Sequence, residues 1–189
     1  THADAAVSPL VPRPADVVTA VVLPTAQING VAWDQEIVGN TVYVGGSFSA
    51  ARPAGAGPGT NESARSNAMA YTLSTGVMTN WRPSVNGTIR TVVASPDGSR
   101  IYIGGDFTQV DGQSRGRIAA FDTATGQLAS NFSANVTGTV HDIAVRGQTV
   151  YIGGSFQSVG NQARQNMAAL NAPTGNLPGW APSSDRPVH

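Results

Sequence analysis

The stretch Val-Tyr-Val-Gly-Gly-Ser-Phe at residues 42–48 returns twice along the chain. It recurs as Ile-Tyr-Ile-Gly-Gly-Asp-Phe at 101–107 and as Val-Tyr-Ile-Gly-Gly-Ser-Phe at 150–156. The first two copies start 59 residues apart, and the second and third start 49 residues apart. A repeat of this length predicts a chain in which one supersecondary unit is used several times.

The longer first interval comes from a single connection. The segment Ala50–Ala64 is extended relative to its counterparts in the other two units, and it is rich in glycine and proline. This composition favours a surface loop inserted into an unchanged frame. Because the insertion breaks the symmetry of the repeat, it is the first loop that we expect to contact a partner.

Further columns of the repeat follow each Gly-Gly pair. An arginine, a Thr-Gly pair and an aromatic residue come after every copy in the same order. The arginines are Arg65, Arg115 and Arg164, and the aromatic residues are Trp81, Phe132 and Trp180. Recurrence in every unit favours structural roles. We expect the arginines to join adjacent units by pairing with backbone carbonyls or an aspartate, and the aromatic residues to pack between strands or units.

Each unit is predicted to contain four short strands, and helical periodicity is absent. In the second unit the strands are predicted at 88–95, 100–107, 117–122 and 127–132. Asp122 is expected to cap the Thr-Ala-Thr-Gly turn that follows it, and Asn171 can do the same in the third unit. Four-stranded units repeating about every 40–50 residues are typical of β-propeller blades, so we predict an all-β fold of antiparallel blades. The Gly-Gly pair then marks a β-bulge or a close approach between neighbouring blades.

The repeats fill 23–189 and are preceded by an extended lead-in at 1–22. Three blades are predicted at 23–78, 81–128 and 131–178, and 180–189 opens a fourth. Propellers typically have about four to eight blades. Three blades and the start of a fourth would leave apolar flanks and strand edges uncovered. The sequence therefore predicts a ring that is completed by further blades or by another chain, for example in an oligomer.

The order Tyr-x-Gly-Gly, Thr-Gly and aromatic residue resembles kelch-type blades. It is most similar to the delta-sixty or YVTN-like propeller repeats of bacterial secreted proteins. The segment 120–126, Ala-Phe-Asp-Thr-Ala-Thr-Gly, also resembles the repeat of quinoprotein dehydrogenases, although Thr72 and Asn171 replace its aspartate in the other units. The resemblance implies a propeller fold and a secreted or cell-surface location. It implies no single activity, because propellers support catalysis, binding and scaffolding on one frame.

Composition excludes several classes of function. The chain has 11 acidic and 11 basic residues, so it lacks the basic surface expected of a nucleic-acid-binding protein. It contains no cysteine, which excludes thiol nucleophiles, disulfides and cysteine-based zinc sites. No stretch approaches the roughly 20 apolar residues that a membrane-spanning helix needs. The scattered aspartates match no calcium-loop pattern, so we predict no metal site, no cofactor and no catalytic residue.

One column of the repeat supplies candidate ligand-binding residues. Its members are Trp33, Arg90, His141 and His189. If the strand that carries them is innermost, their side chains line the central channel or its mouth. Arginine and histidine there suit an anion, neutral imidazoles suit a metal, and Trp33 suits a sugar ring. The alternative is a strand-end position that varies because it faces solvent.

These observations favour a non-enzymatic secreted or cell-surface module that binds a protein or carbohydrate partner, or acts as a rigid scaffold. A first alternative is a fragment of a propeller enzyme of the glycosidase or quinoprotein type, which requires carboxylates or cofactor ligands at one end of the channel. A second is a structural subunit of an extracellular assembly, in which neighbouring chains cover the open flanks.

Overall fold

The computed structural model describes residues 25–180, 182 and 184–188. The predicted lead-in at 1–22 and the candidate residue His189 lie outside the described residues. Over the described ranges the chain forms β-strands and no helix, so no helix there is long and apolar enough to cross a membrane. The strands are β1 Gln27–Ile28, β2 Val31–Val38, β3 Thr41–Ser47, β4 Ala50–Arg52, β5 Ser63–Ala64, β6 Ala68–Thr72, β7 Ile89–Ala94, β8 Arg100–Gly105, β9 Gln109–Val110, β10 Gln113–Ser114, β11 Ile118–Asp122, β12 Val136–Arg146, β13 Thr149–Val159, β14 Gln162–Ala163 and β15 Met167–Asn171.

Three antiparallel sheets repeat along the chain, one for each copy of the Gly-Gly pair. They have the strand orders β2-β3-β6, β7-β8-β11 and β12-β13-β15, and we refer to them as the first, second and third sheets. The leading strands β2, β7 and β12 lie side by side, as expected for the innermost strands of adjacent blades. The predicted all-β fold of propeller blades is confirmed.

The fourth predicted strand is much shorter than expected in the first two sheets. It is reduced to isolated bridges between Tyr71 and Met78 and between Phe121 and Leu128. In the second sheet the backbone N–H of Ala129 donates to Ala120 O at 2.8 Å, after which pairing ends. The outer strand ends early because the chain then turns inward to bury its aromatic residue between sheets.

The aromatic column packs as predicted. The ring of Trp81 stands edge-on to Tyr43 of the first sheet, with centroids 5.0 Å apart, and to Phe121 of the second, at 5.2 Å. Phe132 is fully buried and stands edge-on to Tyr102 at 5.3 Å. Each such pair contributes about 0.5–1.5 kcal/mol beyond the apolar area that it buries. The tyrosine of the repeated motif is therefore a docking point for the aromatic residue that follows the same unit.

The insertion Ala50–Ala64 is a hairpin and not the plain loop that its composition predicts. Its two arms, β4 and β5, pair with each other, and β1 adds a third strand at the edge of β4. Arg52 Nε donates to Ala56 O at 2.9 Å across the hairpin, and its Nη1 lies 3.9 Å from Glu62 Oε1. Glycine and proline correctly mark the tip of the hairpin. The short paired arms escape a prediction from composition.

The predicted turn caps are present. Asp122 Oδ1 accepts hydrogen bonds from the backbone N–H of Thr125 at 2.8 Å and from its hydroxyl at 3.0 Å. Asn171 Oδ1 accepts the same two bonds from Thr174, at 3.2 and 3.0 Å. An amide oxygen replaces a carboxylate oxygen without loss of the cap, which explains how asparagine can stand in place of the aspartate in the third unit.

Candidate ligand-binding surface at the strand bulges

Each Gly-Gly pair lies opposite a β-bulge in the innermost strand. In the second sheet Ile89 pairs with Gly105 and Thr91 pairs with Gly104, so Arg90 is the extra residue. A bulged residue is left out of the ladder and its side chain is re-aimed. The same one-residue shift occurs in the other two sheets, where the extra residues are Trp33 and His141. Three of the four candidate residues are therefore bulge residues at equivalent positions, a row that we call the bulge row.

The second glycine of each pair makes the bulge sterically feasible. A Cβ atom added at Gly105 would lie 2.0 Å from Thr88 O, on the strand that bulges. The corresponding distance is 2.0 Å from Gly46 to Val31 O. Backbone oxygens at this distance leave no room for any side chain, so glycine is required where the two strands approach.

The first glycine of each pair makes room for the next sheet. A Cβ added at Gly45 would lie 2.4 Å from Ile89 Cγ2, and one added at Gly104 would lie 2.7 Å from Val140 Cγ1. Ile89 and Val140 belong to the innermost strand of the following sheet. The two glycines thus have the two roles predicted from the sequence, a bulge and a close packing of blades.

In the second unit the bulge residue is ion-paired. Arg90 donates to Asp106 Oδ2 from Nη2 at 2.8 Å and from Nε at 2.9 Å. Asp106 Oδ1 accepts a hydrogen bond from the Thr139 hydroxyl at 2.6 Å, which links the second sheet to the third. Burial acts to raise the pKa of Asp106, but the bonds from Thr139 and Arg90 hold that pKa below its usual value. The pair is about one-third exposed, and its two charges offset each other.

In the third unit the bulge residue faces a hydroxyl group. His141 Nε2 lies 3.0 Å from Ser155 Oγ, and Ser155 stands at the position that Asp106 occupies in the second unit. In the first unit Trp33 is 56% exposed. Along the bulge row the surface therefore offers an exposed indole, a neutralised ion pair and an imidazole beside a hydroxyl.

An open recess lies next to the motif in the first and third units. The first has a volume of about 450 Å³ and is lined by residues that include Ser47, Ser49, Arg65, Asn67 and Asn86. The third has a volume of about 440 Å³ and is lined by equivalent residues that include Thr137, Ser155, Gln165 and Asn166. Ser155 contacts His141 of the bulge row and also lines the recess of the third unit.

The arginine column has a different role from the one predicted. In all three units Nη1 donates to the carbonyl of the preceding residue, at 2.8 Å for Arg65, 2.8 Å for Arg115 and 2.7 Å for Arg164. Pairing with backbone carbonyls was expected, but these carbonyls belong to the same loop. The arginines therefore brace their own loops, and the prediction that they join adjacent units is wrong.

Asparagines join the units instead. Asn67 Nδ2 donates to Val85 O at 2.8 Å, in the segment that leads to the second sheet. Asn166 Nδ2 donates to Ser184 O at 3.1 Å, after the third sheet. Both asparagines have positive φ, at 66° and 61°, which asparagine tolerates better than most residues. Sequence comparison missed this column because Arg117 occupies it in the second unit, where its guanidinium donates to the carbonyl oxygen of Asp106.

Metal-binding groups are lacking in the described part of the chain: no three His, Asp or Glu side chains there lie close enough to hold an ion. Two carboxylates beside the inner strands are engaged in structural bonds. Asp106 is paired with Arg90, and Asp34 Oδ2 accepts from the backbone N–H of Val92 at 2.7 Å.

The match to a family model, given below, agrees with this fold. The chain is similar to a solved structure, the GH74 enzyme of Niastella koreensis, with 19% identity over 80% of this chain and 21% of the enzyme, and a TM-score of 0.40. The chain thus spans about a fifth of that enzyme, and the similarity assigns no activity. No curated protein matches the sequence. Residues 69–188 match the family model described as the Rax2 C-terminal beta propeller domain, and the chain belongs to this family.

Proposed function

We propose that the chain is a non-enzymatic, secreted or cell-surface β-propeller module that binds a carbohydrate or protein partner. The ligand contacts the bulge row of Trp33, Arg90 and His141, with His189 as the next member of the same column. The recurrence of the bulge is the observation that carries the proposal. Each innermost strand presents a different side chain at the equivalent position opposite its Gly-Gly pair.

The charges of the bulge row favour a neutral polar ligand. Arg90 is neutralised by Asp106, so it offers N–H groups without a free positive charge. His141 and Ser155 add hydrogen-bonding groups, and the exposed face of Trp33 adds an apolar platform with a polar edge. Sugar rings combine apolar faces with hydroxyl groups, so among neutral ligands a carbohydrate fits this combination best.

The bonds of Asp106 and Asp34 disfavour these two side chains as the acid of a glycosidase, while burial and the nearby Asp34 carboxylate raise the pKa of Glu36. Glycoside hydrolysis requires two carboxyl groups about 5–9.5 Å apart, one of them free to donate a proton. Asp106 is held below its usual pKa by its partners and is therefore a poor proton donor. Asp34 accepts a bond from Val92 and another from the backbone N–H of Gln35 at 2.8 Å. These contacts support a binding role.

Binding to a glycan array and to a panel of extracellular proteins tests the proposal. We expect at least one specific ligand, whose affinity falls about tenfold or more in Trp33→Ala, because stacking and hot-spot contacts contribute about 1–3 kcal/mol. Arg90→Ala and His141→Ala should each weaken the same ligand. The matched control is Val77→Ala, since Val77 is also an exposed apolar residue (63%) but follows β6 at the opposite end of the sheet.

Three results would contradict the proposal. The first is a ligand whose affinity is unchanged by all three bulge variants. The second is the absence of any binding. The third is hydrolysis of the bound glycan by the unmodified protein.

A further inference from the structure

Arg100, the first residue of β8, is held by three oxygens at the interface between the second and third sheets. Its Nη1 donates to the carbonyl oxygens of Ala172 and Pro173 at 3.2 and 3.1 Å, and its Nη2 donates to Asn131 Oδ1 at 3.2 Å. A guanidinium group is planar and carries five N–H donors, so two carbonyls and an amide oxygen suit it. These oxygens form a guanidinium site that the chain fills with its own arginine.

The interface between the first and second sheets has residues with the same three oxygens at equivalent positions of the repeat. Asn80 corresponds to Asn131, and Thr123-Ala124 corresponds to Ala172-Pro173. The residue after each asparagine is the aromatic residue that stands edge-on to the tyrosine of the preceding sheet. The two asparagines are therefore placed alike relative to their interfaces.

The two turns that supply the carbonyl oxygens have the same backbone hydrogen bonds. The residue that precedes each turn accepts a bond from the glycine that closes the turn and donates one to the residue after that glycine. The distances are 2.8 and 2.9 Å for Asp122 in the second sheet, and 2.7 and 2.8 Å for Asn171 in the third. The oxygens of Thr123 and Ala124 accept no hydrogen bond from the described part of the chain, so both are available to a ligand.

The arginine is missing at this interface. Thr41, the first residue of β3, stands at the position of Arg100. An open groove of about 470 Å³ lies there, and its lining includes Thr41, Asn80, Thr123 and Ala124. We call it the interface groove. The first interface thus keeps the residues of the guanidinium site and has a groove in place of the arginine.

A nearly buried tyrosine adds a further unpaired group to the interface groove. In the second sheet the Tyr102 hydroxyl donates to Ala172 O at 3.0 Å. Its counterpart Tyr43 is 6% exposed and lines the groove, and its hydroxyl makes no hydrogen bond to the described part of the chain. A hydroxyl accepts as well as donates, so it can receive an N–H of a ligand. Arg82 and Asp111 also line the groove, and their charges are opposite in sign.

We propose that the interface groove binds a guanidinium group on an alkyl stem, carried by an arginine side chain of a partner protein or by a free arginine derivative. The group takes the place that the Arg100 guanidinium has at the second interface, and it donates to the oxygens of Asn80, Thr123 and Ala124. This site is additional to the proposed function, because Thr41 and the glycines opposite the bulge row lie at opposite ends of β3.

A ligand titration followed by ¹H–¹⁵N NMR tests the proposal. The probe is N-acetyl-L-arginine amide, and the matched control is the citrulline analogue, which has the same shape but an uncharged urea group. We expect the arginine probe to shift the amide signals of 123–126 and the indole N–H signal of Trp81, since a Cβ added at Gly126 would lie 3.4 Å from Trp81 Cδ1. It should bind about tenfold or more tightly than the citrulline analogue, because hydrogen bonds from a charged donor are the stronger ones.

Substitutions at the groove complete the test. Thr41→Arg supplies the missing guanidinium, so it should abolish binding and raise the midpoint of thermal unfolding by at least about 2 °C relative to Thr41→Met, which fills space without donating. Thr149→Arg, at the equivalent position of the third unit, should leave the titration unchanged. Asn80→Leu removes one acceptor from an exposed position and should weaken binding about threefold or more.

The proposal is overturned if the arginine and citrulline probes bind equally, if neither shifts the signals of the groove, or if binding survives Thr41→Arg. An affinity unchanged by Asn80→Leu would overturn the assigned contacts. Free L-arginine, titrated in parallel, distinguishes the two sources of the group: tighter binding of the free amino acid identifies a small-molecule ligand, and tighter binding of the N-acetyl amide identifies the side chain of a partner protein.

Discussion

The two glycines of the repeated pair should respond very differently to one added methyl group. In Gly105→Ala the new Cβ would lie 2.0 Å from Thr88 O and 3.0 Å from Ile89 Cα, both backbone atoms of the paired strand. In Gly104→Ala it would lie 2.7 Å from Val140 Cγ1 and 2.9 Å from Thr91 Cγ2, which are ends of side chains. Side-chain ends can shift by a few tenths of an ångström, whereas the backbone of a paired strand can move only if pairing is lost.

The expected costs follow from this difference. Overpacking by one methyl group in a well-packed interface costs about 1–3 kcal/mol, which we expect for Gly104→Ala. An overlap of more than 1 Å with a backbone oxygen requires the bulge to open, and we expect Gly105→Ala to cost more than about 4 kcal/mol. A loss of that size is a large part of the roughly 5–15 kcal/mol that stabilises a typical domain.

Chemical unfolding followed by far-UV circular dichroism measures both free energies. Gly57→Ala is the control, because its added Cβ would meet only Thr60 Oγ1, at 3.9 Å, and its backbone is not left-handed. We expect that change to stay within about 0.5 kcal/mol. If Gly105→Ala were no more destabilising than Gly104→Ala, the assignment of bulge and packing roles to the two glycines would be refuted.

Further predictions concern the aromatic column and the acidic side chains. Trp81→Ala should lower the free energy of unfolding by about 3 kcal/mol, because its ring fills the space between two sheets, while Trp180→Ala should cost less than about 1 kcal/mol. NMR titration should give Asp97 a pKa of about 2, held down by bonds from the Ser95 hydroxyl and from the backbone N–H and hydroxyl of Ser99, and Ser95→Ala should raise it. The ordinary value is about 3.9, so the stability due to Asp97 is complete above that pH and is lost as the pH falls through 2. An Asp97 pKa near 4 would contradict the hydrogen bonds described. The pKa of Asp106 is also lowered, so Asp106→Asn should reduce the loss of stability on acidification below pH 4, measured by urea unfolding at each pH.

The repeat made most of the fold predictable from the sequence. Three copies of one motif define the period of the repeat. The role inferred for a position in one unit can therefore be compared with the equivalent positions in the other two units. The glycine pair and the aromatic column depend on local chemistry that each unit repeats, and the Asp122 cap returns at Asn171 in the third unit. Local requirements of this kind are visible in a sequence because few residue types can meet them.

The features that sequence comparison missed depend on which strands meet. Trp33, Arg90 and His141 could be aligned as a column, but their status as bulge residues required the register against the glycine pair. The joints made by Asn67 and Asn166 reach backbone carbonyls that no sequence pattern identifies. An arginine that bonds its own loop and an arginine that bridges adjacent units would give the same repeated column in the sequence.

The central claim is that each Gly-Gly pair is a point of contact between consecutive blades. Nuclear Overhauser effects in a protein with labelled isoleucine and valine methyl groups test it most directly. We predict contacts from the Ile89 methyl groups to Gly45 Hα and from the Val140 methyl groups to Gly104 Hα. Absence of these contacts in a folded sample, or contacts from Ile89 to Gly104 in their place, would contradict the account.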